Sequence, residues 1–180
     1  TSSTTIDGGA GIDTLTFTHD GVSTGVLNNV TNVEKVVLGD ATTKLTTVNS
    51  LVAAGQALTL DATSLTSTHN LTLTGSAELD GAFTILAGAG ADSIVGSANS
   101  DLFAMGTYLT AADTADGGSG TDTLAFTHDG TSTNALDHVA DIERIGLGGL
   151  AVHSVTADSL VGSGQILAVS AATLTGGNSL

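Results

Sequence analysis

Residues 7–24 have the sequence DGGAGIDTLTFTHDGVST, and residues 116–133 repeat it as DGGSGTDTLAFTHDGTST. The two stretches begin 109 residues apart and agree at 14 of 18 positions. The same offset continues without a gap, since residues 33–36 (VEKV) match residues 142–145 (IERI). A fixed internal period is typical of repeat architectures, in which each unit packs on its neighbours. We therefore expect one full repeat unit, residues 1–109, and a truncated second unit, residues 110–180.

Composition narrows the class of protein. The 180 residues include 18 acidic and 3 basic side chains, a formal net charge of −15. This charge disfavours nucleic acids and anionic membranes, because binding to either relies on clusters of Lys and Arg. The absence of cysteine excludes disulfide scaffolds, cysteine-based zinc sites and thiol catalysis. A hydrophobic fraction of 41% argues against a disordered tail. The composition favours an extracellular bacterial structural protein over a cytosolic enzyme.

Short apolar runs separated by Gly, Asn and Asp indicate an all-β chain. Strands are predicted over residues 13–18, 33–38, 57–61, 70–74 and 83–86, and in the second unit over residues 122–127, 142–147 and 166–170. A few short helical turns are predicted over residues 47–55, their counterpart 156–164, and residues 108–113. Strands at this spacing favour a β-solenoid or a β-sandwich.

A nine-residue motif, G-G-x-G-x-D-x-U-x with U a large aliphatic residue, occurs intact at residues 8–16 and 117–125. A degenerate tandem pair occupies residues 87–104, and residues 75–80 form a weaker copy. Glycine permits left-handed backbone, so such a turn aims successive carbonyl groups at one point, and the Asp adds a carboxylate. Oxygen ligands in a flexible loop suit Ca²⁺, which takes about 6–8 of them. The apolar eighth residue is predicted to point into the core.

These motifs resemble the RTX, or haemolysin-type, calcium-binding repeats of secreted bacterial proteins. The wider pattern LTAADTADGGSGTDTL (residues 109–124) resembles that of long RTX surface-layer proteins and adhesins. The resemblance implies a parallel β-roll or β-helix with Ca²⁺ between Gly-Asp turns, type I secretion, and a location outside the cell. This chain departs from a regular β-roll because residues 105–116 interrupt the tandem motifs.

Within such a roll, stacked turns are expected to share ions. The turn at 87–92 is predicted to stack on the turn at 116–122, the turn at 75–80 on that at 96–101, and the turn at 7–13 on one upstream. The predicted Ca²⁺ ligands in these turns are Asp7, Gly9, Gly11, Asp13, Asp80, Gly88, Gly90, Asp92, Asn99, Asp101, Asp116, Gly118, Gly120 and Asp122. Glu34 and Glu143, which stand before Lys35 and Arg144 among apolar residues, are predicted to be solvent-exposed surface charges or members of weak ion pairs within their unit.

The leading hypothesis is a structural one, with no enzymatic activity. The chain is expected to be a calcium-stabilised extracellular segment of a type I-secreted surface-layer protein or adhesin. Its expected partners are neighbouring repeat units or identical subunits in a lattice or filament, and cell-surface polysaccharide, with no nucleic-acid binding and no membrane insertion. The alternatives are an RTX secretion and folding module of a secreted enzyme, or a carbohydrate- or ice-binding module on Thr-rich strands such as residues 71–74.

Overall fold

The computed structural model describes residues 4–18, 20–127, 134–148 and 160–170. In these residues the chain forms 16 short β-strands and no helix. The strands are β1 (Ile6–Asp7), β2 (Thr14–Phe17), β3 (Gly21–Thr24), β4 (Val30–Thr31), β5 (Lys35–Leu38), β6 (Thr43–Thr46), β7 (Ala57–Asp61), β8 (Leu71–Thr74), β9 (Ala82–Leu86), β10 (Ser93–Val95), β11 (Leu102–Gly106), β12 (Thr114–Asp116), β13 (Thr123–Phe126), β14 (Val139–Ala140), β15 (Arg144–Leu147) and β16 (Ala168–Ser170).

Every described pair of strands is parallel, and the chain alternates between two long sheets. The eight-stranded sheet has the order β2-β5-β7-β9-β11-β13-β15-β16, and the six-stranded sheet has the order β3-β6-β8-β10-β12-β14. β1 pairs only with β4 among the described strands. Each coil of the chain therefore adds a strand to each face and stacks on the coil before it. This confirms the all-β prediction and resolves the choice between sandwich and solenoid in favour of a parallel β-solenoid.

The core lies between the two sheets and is built from side chains in register. Because alternate residues of a strand point to opposite faces, one inward position per strand forms a continuous column. In the eight-stranded sheet this column consists of Leu15, Val36, Leu60, Ile85, Phe103, Leu124 and Ile145. Its members Phe103 and Leu124 are the eighth residues of nine-residue motifs, and both are 0% exposed. The prediction that this motif position points into the core is confirmed.

All eight predicted strands correspond to observed ones, but the predicted helical turn at residues 47–55 is wrong. This segment is an irregular turn between β6 and β7. The Val52 N–H donates to Glu78 Oε2 at 3.1 Å, and the Gly55 N–H donates to the Asp80 oxygen at 2.8 Å. These acceptors lie on the next coil, so the backbone amides are satisfied by coil stacking in place of i−4 carbonyl groups. The counterpart at 156–164 lies largely outside the described residues.

The helical turn predicted at residues 108–113 is also wrong. Here the Asp113 carboxylate turns back on its own segment, where Oδ2 accepts the Thr110 N–H at 2.7 Å and the Thr110 hydroxyl at 3.0 Å. Such side-chain bonds compete with helix formation. The segment becomes the turn between β11 and β12, and Leu109 is buried in the core.

The 109-residue period of the sequence is also present in the backbone. β2, β4 and β5 recur as β13, β14 and β15 at that offset. Asn32 and Asp141, which are also 109 residues apart, have left-handed backbones with φ of 51° and 50°. β11 pairs with β13 across the boundary at 109/110, so the two units are consecutive stretches of one solenoid.

Candidate functional site

The turns of the solenoid lie along two edges, and both edges carry acidic residues. Turns leading into the eight-stranded sheet form one edge, which we call the acidic edge; its residues are 8–13, 32–34, 47–56, 75–81, 96–101, 117–122 and 141–143. Turns leading out of that sheet form the opposite edge; its fully described turns are 39–42, 62–70, 87–92 and 107–113.

Successive coils of the acidic edge are joined by a ladder of carboxylates that accept backbone N–H groups. Glu143 Oε2 accepts the Asp122 N–H at 2.8 Å, and Asp122 Oδ1 accepts the Asp101 N–H at 2.7 Å. Asp101 Oδ1 in turn accepts the Phe83 N–H at 2.6 Å. In each bond the carboxylate lies one coil later in the chain than the amide. The ladder therefore couples each coil to the one before it, beyond the bonds of the sheets.

The same bond occurs elsewhere on the acidic edge. Glu34 Oε2 accepts the Asp13 N–H at 2.8 Å, which reproduces in the first unit the bond of Glu143 to Asp122. Glu78 uses both oxygens, since Oε2 accepts the Val52 N–H and Oε1 accepts the Gly81 N–H at 3.1 Å. The ladder is thus a recurring feature of the fold.

A shorter ladder follows the opposite edge. Asp113 Oδ1 accepts the Asp92 N–H at 2.7 Å, and Asp92 Oδ1 accepts the Leu71 N–H at 2.8 Å. These donors and acceptors are 21 residues apart, the same separation as in the Asp101–Asp122 bond. These coils have the same length. On both edges, a carboxylate of one coil therefore lies against a backbone N–H of the coil before it.

The ladder carboxylates are buried, apart from that of Glu34, which is half-buried. Glu78 and Asp122 are 0% exposed, Asp92 and Asp113 are 1% exposed, and Asp101 is 2% exposed. Burying a charge is costly unless it is paired or hydrogen-bonded. The described part of the chain places no Lys or Arg against these groups; Lys35 pairs instead with Asp61 at 2.8 Å. The ladder therefore compensates its buried acids with backbone amides and, at Asp101 and Asp113, with the hydroxyl groups of Ser97 and Thr110.

Three carboxylate oxygens are left over. Asp13 Oδ2, Asp92 Oδ2 and Asp122 Oδ2 are buried and have no hydrogen-bond partner in the described part of the chain. Burial, together with the carboxylates of Asp101, Glu143 and Asp116, raises the pKa of Asp122 to about 7. These oxygens are the positions at which the solenoid most needs a proton or a cation.

The other ladder groups show the same trend. Burial, reinforced by the Asp113 carboxylate, raises the pKa of Asp92 to about 6. Burial also raises the pKa of Asp101 and of Glu78, although amide hydrogen bonds oppose the shift at both groups. The protonated form of these acids is therefore favoured well above the usual range for a carboxyl group.

The glycines of the intact motifs serve two structural purposes. Gly9 and Gly11 have φ of 89° and 128°, and the equivalent Gly118 and Gly120 have φ of 85° and 129°. The sequence-based expectation of left-handed backbone is therefore confirmed at these four positions. Gly117 is needed for a different reason, because a Cβ there would overlap the main-chain oxygen of Asp141 and approach Asp122 Oδ2 to 2.7 Å.

The predicted stacking of the turn at 87–92 on that at 116–122 is wrong. Asp92 and the two glycines of its turn, Gly88 and Gly90, lie on the opposite edge, whereas Asp116 and Asp122 lie at the acidic edge. The reason is that residues 105–116 are not an insertion. They supply the end of β11, the turn at 107–113 and β12, which together make half a coil. The turn at 87–92 therefore stacks on 107–113.

The turn at 117–122 stacks on 96–101. The Thr123 N–H donates to the Asp101 oxygen at 2.9 Å, and the Gly120 backbone lies against Asn99. Asn99 itself donates from Nδ2 to the Gly81 oxygen at 3.1 Å. The predicted stacking of 75–80 on 96–101 is confirmed, since the Ala98 N–H donates to the Glu78 oxygen at 2.9 Å. The structure thus groups Asp80, Asn99, Asp101, Asp116, Gly118, Gly120 and Asp122 on neighbouring turns of one edge.

Asp7 and Asp116 have a local function. Asp7 Oδ1 accepts the Gly9 N–H at 3.0 Å, and Asp116 Oδ1 accepts the Gly118 N–H at the same distance. Each Asp therefore begins the glycine turn by binding an amide two residues ahead, as Asp commonly does in turns. Asp7, Gly9, Gly11 and Asp13 lie together in the first turn of the acidic edge.

Four acids of the ladders were missed by the sequence analysis: Glu34, Glu78, Asp113 and Glu143. The prediction that Glu34 and Glu143 are solvent-exposed surface charges is wrong, because Glu143 is only 8% exposed, Glu34 is half-buried, and both accept a backbone N–H. The spacing in the sequence could have identified Glu34 and Glu143, since each lies 21 residues after a motif Asp.

The donor set is compatible with a hard cation, although no complete site is formed. Among residues 4–18, 20–127, 134–148 and 160–170, no group of three or more His, Cys, Asp or Glu residues is placed to hold a metal ion. Asp122 Oδ2, which is buried and has no hydrogen-bond partner in the described residues, nevertheless lies near the main-chain oxygen of Asp141, since a Cβ at Gly117 would contact both atoms. An all-oxygen environment suits Ca²⁺. A cation at this edge would have to combine one carboxylate oxygen with carbonyl groups.

Comparisons with family models, curated proteins and solved structures found no match. In the described residues there is no helix long and apolar enough to cross a membrane. The fold and the ladder therefore define the class: an all-β parallel solenoid with acidic edges.

Proposed function

We propose that this chain is a structural, non-enzymatic repeat segment of a type I-secreted bacterial surface-layer protein or adhesin, stabilised by Ca²⁺ outside the cell. One observation carries the proposal: within the part of the chain that the structure describes, carboxylates recur coil after coil at the turns, and three of their oxygens are buried without a hydrogen-bond partner. Its partners in this proposal are neighbouring repeat units, identical subunits in a lattice or filament, and cell-surface polysaccharide.

The arrangement favours a mechanism in which cation binding is coupled to folding. In the unfolded chain the acids are far apart and hydrated, whereas folding brings them together at a net charge of −15. Asp122 and Asp92 then each keep one oxygen for a backbone N–H and leave the other buried and unsatisfied. Bound Ca²⁺ supplies positive charge to such oxygens.

A ligand that binds only the folded form stabilises it by mass action, by about 3 kcal/mol at a hundred times Kd. Extracellular calcium modules bind in the range of about 10⁻⁴–10⁻³ M. The free calcium concentration of the cytosol lies far below this range, so the chain would fold after export. This coupling fits a surface protein that crosses the cell envelope unfolded.

Calorimetric unfolding of the full chain at pH 8 tests the proposal. We expect millimolar CaCl₂ to raise the unfolding midpoint relative to EDTA, and Mg²⁺ to have less effect, since Mg²⁺ binds less well to flexible all-oxygen sites. An identical midpoint in CaCl₂ and EDTA, combined with no heat of Ca²⁺ binding in titration calorimetry, would contradict the proposal.

Asp122→Asn identifies the group responsible. The amide oxygen of Asn preserves an acceptor for the Asp101 N–H, but the charge is removed. We expect this variant to lose part of the stabilisation by Ca²⁺. Asp137→Asn is the matched control, because Asp137 is exposed and makes no ladder bond, so its response to Ca²⁺ should equal that of the parent chain. If both variants lost the same part of the stabilisation by Ca²⁺, the calcium effect would be due to general screening of the negative net charge and not to binding at Asp122.

A further inference from the structure

The end of the solenoid formed by β1 and β2 differs from the interior, although its sequence is repeated there. β2 is the end strand of its sheet, whereas the equivalent β13 lies between β11 and β15. Leu15 and Phe17 of β2 are only partly buried, while the equivalent Leu124 and Phe126 are 0% and 3% exposed. The same apolar side chains are thus positioned for burial but lack a covering coil.

The glycine turn shows the same difference. A Cβ at Gly118 would lie 2.8 Å from the Ser97 oxygen, and one at Gly120 would lie 2.7 Å from the Asn99 oxygen. At the equivalent Gly9 and Gly11 nothing lies within 4 Å. In the second unit these glycines therefore receive the main chain of the preceding coil, and in the first unit no atom of the described residues fills the corresponding space.

The carboxylates of Asp122 and Asp13 show the same difference between the interior and the β1/β2 end. Asp122 Oδ1 accepts the N–H of Asp101 from the preceding coil. The equivalent Asp13 is half-buried, and among the described residues its carboxylate accepts no N–H from a preceding coil, because β2 is the end strand of its sheet. An amide placed as that of Asp101 is in the second unit would extend the ladder to Asp13.

We propose that the β1/β2 end is a docking surface for one further solenoid coil with the chemistry of residues 87–109. In the second unit that segment provides everything the surface lacks: the carbonyl groups against the two glycines, the amide for the Asp, and the Phe103 side chain beside Leu124. The proposed occupant is a solenoid coil of that sequence, placed in phase with the 109-residue period. This interface is independent of Ca²⁺ binding.

The test adds a second copy of residues 87–109 directly before Thr1 of the full chain, because residue 1 is the equivalent of residue 110. We expect amide hydrogen exchange in β2 to slow by roughly tenfold or more, towards the rates in β13, and the unfolding midpoint to rise. Both effects should occur in EDTA and in CaCl₂, which separates this interface from the calcium proposal.

Two controls make the outcome decisive. An extension with the same residues in shuffled order should leave exchange in β2 unchanged. An in-phase extension whose own copy of Phe103 is replaced by Ala should lose most of the gain, because that side chain would cover Leu15. If the in-phase extension protects β2 no better than the shuffled one, the docking surface does not exist.

Discussion

Asp122 accepts the backbone N–H of Asp101 across 2.7 Å, while its second oxygen is buried and has no hydrogen-bond partner among residues 4–18, 20–127, 134–148 and 160–170. One carboxylate therefore both joins two coils and leaves an unsatisfied charge between them. The hydrogen bond stabilises the stacking of the two coils, whereas the buried second oxygen favours protonation of this carboxylate or the binding of a cation to it. The stability of these two stacked coils therefore depends on pH, on bound cations and on the side chain at position 122.

The first prediction concerns pH. Asp122 and Asp92 have folded-state pKa values of about 7 and about 6, above the usual value of about 3.9. A raised pKa contributes stability below the unfolded value that is lost as pH rises through the folded value. In EDTA we expect the free energy of unfolding to fall by up to about 7 kcal/mol between about pH 4 and pH 8, since the two shifts together amount to about 5 pKa units at about 1.4 kcal/mol each. Urea unfolding across this range measures it, and stability that rises with pH would contradict the assignment.

The second prediction separates charge from packing at Asp122. Asp122→Asn removes the charge and retains an acceptor for the ladder bond. In EDTA we expect the variant to gain stability relative to the parent chain at pH 8, where Asp122 is ionised. At pH 4.5, where Asp122 is already neutral, the gain should disappear. Thermal unfolding at the two pH values checks this, and an equal change at both would attribute the effect to packing.

The third prediction concerns the glutamates that continue the ladder. Glu143→Ala leaves the Asp122 N–H buried without an acceptor, so we expect a loss of about 1–3 kcal/mol. Glu143→Gln keeps an acceptor oxygen and should lose less. Glu34→Ala removes the equivalent bond at a half-buried position, so water compensates part of its loss. Urea unfolding should rank the losses in this order: Glu143→Ala largest, then the other two variants.

The fourth prediction concerns the closeness of the coils. Gly117→Ala places a Cβ on the main-chain oxygen of Asp141, and backbone atoms at a stacked turn have little room to move. We expect a loss of about 2 kcal/mol or more, the range for overpacked sites. Gly146→Ala is the control, because its nearest atom is the Ala125 Cβ at 3.7 Å, so its stability should change by less than about 0.5 kcal/mol. Equal effects would show that the turns are not tightly packed.

The sequence predicted the elements that are governed by local patterns. Apolar alternation located every strand of the eight-stranded sheet except β11, and the period of 109 residues located the equivalent positions of the two units. Predictions failed where distant coils determine the structure. Residues 47–55 begin with a Thr and end with a Gly, as helices often do, but the Val52 N–H is bound by Glu78 of the next coil. β6 was missed because TKLT is short and has a single apolar side chain.

The sequence predicted several of the residues that form the site, but it did not predict correctly which turns stack on each other. Asp92, Asp101 and Asp122 were identified from the motif, and all three are ladder members. Which turn faces which depends on coil length, and residues 105–116 do not resemble the motif that they replace in the stack. Glu143 was missed because a Glu beside apolar residues has the same sequence pattern whether it faces solvent or a buried amide.

The ladder has a direction, since every one of these carboxylates on the acidic edge serves an amide of the coil before it. A cut between two coils would therefore leave two chemically different ends. The upstream piece would finish with an amide that lacks its acceptor, and the downstream piece would begin with a carboxylate that lacks its donor. Two ends of the same kind cannot form a ladder bond with each other, whereas an end with a free amide and an end with a free carboxylate can. The solenoid thus has a chemical head and tail, and separated pieces would rejoin in one orientation.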